Sequence, residues 1–313
     1  MSTLTVLTDP RLRNLSALLA ATDWPDQEQR PLPRGVHPQA TMLRKHVSPY
    51  RAHAAARYLQ AALETEGSLP KLFARVLNDE AEITGHLRAF GGAAALGAFW
   101  SGHDSGWAQA VSEVEAHVRP LNFDSFLSEL FDLLPTDLII HPNIAYPTKH
   151  SFGVLVDNKA YSIMPPRKAV GESKPWPFGD DRDYVIRLAI HDFVQAQLFD
   201  LLDRQPKLIR VGENNDLLPA AFRAEFPTWN KQVVELFAYA AQIIFLNRLD
   251  DGAGDALAVF ERRTRQLTIL PGSVDEVTNY IAGKGLAQRY VSLEVYLPHF
   301  ADQVDRLLSE TAA

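Results

Sequence analysis

The sequence predicts a mostly helical α+β protein. A helical N-terminal half is followed by a small sheet with a hairpin, then by a central apolar helix and C-terminal helices. Three observations predict this. Apolar residues recur at helical spacing through the first 135 or so residues. Two strand-like runs, Ser151 to Val156 and Ala160 to Met164, flank Asp157-Asn158-Lys159, a sequence suited to a tight turn. The stretch Asp183 to Leu202 is apolar nearly all round, the mark of a buried helix.

The elements follow in order. Asp9 is the expected N-cap and Pro10 the first residue of a helix reaching Ala21. Ser48-Pro49 is expected to open a helix to about Glu64. Shorter helices are expected at Leu69 to Leu77, Glu80 to Phe90, Gly92 to Trp100 and Gly106 to Val118, and Phe123 to Leu134 closes this half. The middle changes character with the apolar run Asp137 to His141 before Pro142, then the hairpin, then a loop rich in Pro and Gly from Pro165 to Gly179. Helices return at Asp183 to Leu202, Thr228 to Leu249, Asp255 to Thr268, Val274 to Ala282 and Ala287 to Ser309. The division expected is a helical region over 1–135 and a region of small sheet and helices over 136–313, packed together as one unit.

Composition narrows the chemistry. Apolar residues make up 46% and charged residues 22% of the 313, an ordinary balance for a packed core. With no cysteine, thiolate zinc sites, iron–sulfur clusters, disulfides and a cysteine nucleophile are all excluded. A metal would need His, Asp, Glu, Gln or backbone oxygen. The net charge of −7 argues against a general nucleic-acid surface. No basic n-region or membrane-length apolar run is visible, so a cytoplasmic protein with no membrane partner is expected.

Charge is uneven along the chain. Arg30, Arg34, Arg44, Lys45, Arg51 and Arg57 fall between Arg30 and Leu63 without one Asp or Glu. The plain reading is a clasp onto the protein's own acidic surface. The functional one is a patch for an anionic ligand or nucleic acid. Aromatic interleaving for base stacking is missing.

The chemistry gathers on Asp183 to Leu202. His191 and Gln195 are spaced i, i+4 and interrupt one apolar stripe. Two inward polar side chains must be satisfied by each other, by a partner helix, by water or by a metal. On the next long helix, Glu235, Tyr239 and Gln242 share a face among Val, Leu, Phe, Ala and Ile. A carboxylate there is rarely buried without a partner, and His191 is an available one.

The stretch Ala189-Ile190-His191-Asp192-Phe193-Val194-Gln195 resembles the His-Glu-x-x-His helix of zincin metallopeptidases. Glu235, in Val234-Glu235-Leu236-Phe237-Ala238-Tyr239, is similar to the third-ligand stretch of the gluzincin branch. The order of hairpin, loop and helix also matches that family, whose edge strand holds the peptide substrate. The N-terminal half loosely resembles a group of bacterial zincin-like proteins.

The resemblance implies zinc as cofactor, with His191, Gln195 and Glu235 as ligands and Asp192 as general base. Two of the three motif residues depart from the pattern. Gln195 offers a weak amide oxygen where the family has imidazole, and Asp192 is one methylene shorter than the family's Glu. Two functions are therefore expected side by side. One is a zincin-like hydrolase with a remodelled metal site. The other is a metal-free pseudo-peptidase that binds a peptide or protein. Beside both stands the plain reading of a hydrogen-bonded polar group in the core.

Other candidates are thinner. His141 and Tyr239 are expected near a cleft, and His150 near Tyr146 is similar to His141. Tyr290 and Tyr296 are phenols available to an oxyanion. Trp176-Pro177-Phe178 is expected to clamp the entry of the central helix. No phosphate loop, dinucleotide fingerprint or nucleophile elbow occurs.

Overall fold

The computed structural model describes residues 2–28, 35–66, 68–146, 148, 150–167, 178–250, 252–285 and 290–312. The predicted class is correct: among these residues the protein is mainly helical, with one small mixed sheet. Strand β1 (Thr3–Val6) leads into α1 (Pro10–Ala20), α2 (Trp24–Glu28), α3 (Pro38–Val47), α4 (Ala54–Glu66), α5 (Leu69–Leu77), α6 (Ala81–Ala93), α7 (Leu96–Ser101), α8 (Asp104–Val118) and α9 (Phe123–Leu130). Strands β2 (Asp137–Pro142), β3 (Phe152–Val156) and β4 (Lys159–Met164) follow. The chain continues through α10 (Arg182–Arg204), α11 (Ala220–Glu225), α12 (Trp229–Leu249), α13 (Ala253–Thr264), α14 (Leu270–Gly285) and α15 (Leu293–Ala312).

Local chemistry explains the starts and stops. Asp9 accepts the Arg11 amide at 2.8 Å and Pro10 fills the first position of α1, as expected. The helix expected from Ser48-Pro49 begins later, at Ala54, because Ser48–Tyr50 forms a 3-10 turn instead. Before that turn lies α3, which has no Ser, Thr, Asp or Asn start signal. His37 caps it instead, its Nδ1 accepting the Gln39 amide at 3.2 Å. Helix α9 stops at Leu130 rather than Leu134, as Phe131 turns extended. The hairpin between β3 and β4 is a two-residue turn in which Asp157 and Asn158 both take positive φ, 48° and 58°. That is the geometry Asp and Asn tolerate. Most of the Pro- and Gly-rich loop, including Trp176 and Pro177, lies outside the described residues.

The chain forms two compact units, each discontinuous in sequence. One comprises 4–121 and 137–189, the other 1–3, 122–136 and 190–313. The chain passes between the units at 3/4, 121/122 and 136/137. A further crossing falls inside α10, between Ala189 and Ile190.

In the first unit the sheet order is β1-β2-β4-β3, with β2 parallel and β3 antiparallel to β4. Helix α5 packs on β3, where Phe73 and Phe152 meet edge to face at 5.0 Å, and α8 packs on β2. Part of the basic segment clasps its own neighbours: Arg44 pairs with Asp26 at 2.7 Å and Arg51 with Asp23. Arg30 and Arg34 lie outside the described residues.

In the second unit α12 is the hub, packing against α13, α14 and α15, and every residue from Gln232 to Leu246 is buried. Such a helix must satisfy its polar side chains internally. Gly254 allows the close approach of α13, since a Cβ there would stand 2.1 Å from the Ile243 carbonyl oxygen. No helix among the described residues is long and apolar enough to cross a membrane.

Candidate functional site

The polar residues of α10 and α12 meet inside the second unit. His191 and Gln195 lie one turn apart on α10, and Glu235 on α12 answers both. His191 Nε2 donates to Glu235 Oε1 at 2.8 Å, and Gln195 Nε2 donates to Glu235 Oε2 at 3.2 Å. On the other side of the ring, His191 Nδ1 stands 3.2 Å from Asp192 Oδ1. All four residues are buried, Asp192 completely. Both imidazole nitrogens thus face carboxylate oxygens, which only accept, so both must carry hydrogen.

The electrostatics agree. Burial alone would favour a neutral ring. The charge of Glu235 and the hydrogen bonds to Asp192 and Glu235 override it and raise the His191 pKa to about 10. His191 is therefore an imidazolium at neutral pH.

One turn beyond Glu235, the Tyr239 ring lies 5.8 Å from the His191 ring. Burial first, and the Glu235 charge next, hold its phenol well above its ordinary range, so it stays neutral. The Arg265 guanidinium covers its ring at 5.6 Å and pairs with Glu225 at 2.8 Å and Glu261 at 3.0 Å. Sequence reasoning missed Arg265 and its two acids. The signal was present in Glu261 and Arg265, spaced i, i+4 at the end of a helix.

Of the expected site residues, His191, Asp192, Gln195, Glu235 and Tyr239 come together. Gln242 is buried further along α12. His141 lies in the first unit, fully buried, where its Nδ1 accepts the Asp9 amide at 3.1 Å. Burial pulls its pKa down to about 4, so it is neutral. Tyr146 stacks on Trp24 at 5.0 Å in the core of the same unit. The Tyr296 hydroxyl donates to the Glu276 carbonyl at 2.7 Å, and its ring stacks on Tyr280.

The donor set, as arranged, fits zinc poorly. It holds one imidazole, and both nitrogens of that ring face carboxylate oxygens at hydrogen-bonding distance. The Gln195 amide turns its nitrogen, not its oxygen, towards Glu235. Among the described residues no group of three or more His, Asp or Glu side chains is placed to hold a metal ion. What the arrangement does offer is a charged cross-link between two buried helices. Comparison with family models, with curated proteins and with solved structures gives no match to this chain.

Proposed function

We propose that this chain is a metal-free relative of zincin-type peptidases that binds a polypeptide rather than cleaving one. The observation carrying the reading is the direct 2.8 Å hydrogen bond from His191 Nε2 to Glu235 Oε1. It occupies the ring nitrogen that a metal would need. In this reading Asp192 serves as a counter-charge to His191, not as a base, and Gln195 completes the hydrogen bonding of Glu235. The zincin part is supported by the motif-like stretch of α10 and by the hairpin that precedes it. The binding part is supported by β3, the antiparallel strand at the end of the sheet order, because an edge is where an extended peptide adds to a sheet.

A second reading, a retained zinc peptidase, is favoured by one observation: the motif residues of α10 and Glu235 of α12 meet at one place. The two readings differ in measurable ways. Protein purified without a metal-affinity tag is expected to contain no zinc by elemental analysis and to leave unfolded, carboxymethylated casein intact while binding it. Near-stoichiometric zinc, with casein cleavage stopped by a chelator, would establish the second reading instead.

A further inference from the structure

Helix α13 presents two different faces. Gly254, Leu257 and Glu261 turn inwards, where the helix packs on α12. The outward face carries Ala256, Val259, Phe260 and Arg263 at the i, i+3, i+4, i+7 spacing of one helical stripe. Val259 is 42% and Phe260 54% exposed, adjacent large apolar side chains in water on one short helix. Asp255 and Arg262 lie on one flank of this stripe, near opposite ends of the helix. Neither has a salt bridge among the described residues. Asp255 Oδ1 accepts the Asn247 side-chain amide at 2.9 Å.

This pattern is complementary to itself. When two copies of α13 are laid antiparallel across a two-fold axis, like flanks face each other. Asp255 of one copy then meets Arg262 of the other, twice, while the Val259 and Phe260 side chains pack at the centre. The helix dipoles also run in opposed directions.

We propose that the outer face of α13 is a self-association surface, whose occupant is the same helix of a second copy of this chain. Twelve residues make a helix of about 18 Å. A contact of that length falls below the roughly 1,200 Å² buried by stable interfaces. The dimer is accordingly weak and concentration-dependent.

Sedimentation velocity over a wide concentration range tests this. The full chain is expected to gain mass with concentration, and Phe260→Glu to stay monomeric throughout. Asp255→Arg and Arg262→Asp are each expected to weaken the dimer by roughly tenfold or more, because each places like charges face to face. Mixing the two charge variants restores opposite charges across the axis, so the mixture should dimerise as the unmodified chain does. Circular dichroism confirms that each variant is folded. A chain that stays monomeric at every concentration, a dimer indifferent to Phe260→Glu, or a mixture no better than its components would overturn the proposal.

Discussion

His191 Nε2 and Glu235 Oε1 stand 2.8 Å apart and join two helices across 44 positions of sequence. Glu235 also accepts from Gln195, so its loss removes one hydrogen bond from each of two buried polar side chains. Removing one partner of a buried ion pair costs about 3–5 kcal/mol. Glu235→Leu is expected to destabilise the protein by about that much in urea unfolding. A cost below about 1 kcal/mol would mean that the pair contributes nothing net to the fold.

The same pair sets an alkaline limit. The pKa of His191 is higher in the folded chain than the ordinary value of 6.5, reaching about 10. Its contribution is therefore complete below about pH 6.5 and is lost as pH rises towards about 10. The urea midpoint is expected to fall across that range, and to fall less in Glu235→Leu. Equal slopes in the two proteins would place the titrating group elsewhere.

His141 acts in the opposite direction. Burial lowers its pKa from 6.5 to about 4, a shift worth about 3 kcal/mol. The unfolded chain takes up this proton first, so stability is present above about pH 6.5 and is lost as pH falls to about 4. Below that the loss is complete. His141→Phe should remove this part of the acid slope. A variant with the unchanged slope would show that His141 is not buried in its neutral form.

Gly254 tests the packing of α13 on α12. A Cβ at that position meets the Ile243 carbonyl at 2.1 Å and Asn247 Oδ1 at 2.7 Å, so the helices must separate. Overpacking of this kind costs about 1–3 kcal/mol. Gly254→Ala is expected to lower the urea midpoint accordingly, although alanine is the better helix former. An unchanged or higher midpoint would show that α13 yields freely.

Much of the fold was legible in the sequence, and the limits have physical causes. Helix α5 falls where its periodicity puts it, and α10 extends two residues past the expected end and one before the expected start, because an apolar helix writes a long repeat. The turn at Asp157-Asn158 was equally plain. Helix α3 was not, since a histidine caps it and its residues carry a polar, basic pattern. At the site, the i, i+4 spacing brought out His191 and Gln195, and the burial of a lone carboxylate brought out Glu235. The complete burial of Asp192 was hidden, because a motif position does not say which way its helix turns. Arg265 was hidden too, as its role depends on stacking against Tyr239 rather than on its own sequence.

The most direct test is nitrogen NMR of the His191 ring, assigned by comparison with His191→Gln. The account predicts an imidazolium with hydrogen on both nitrogens at neutral pH, titrating only as pH approaches about 10 and unaffected by added zinc. A neutral ring titrating near its ordinary 6.5, or an Nε2 resonance that moves when zinc is added, would contradict it.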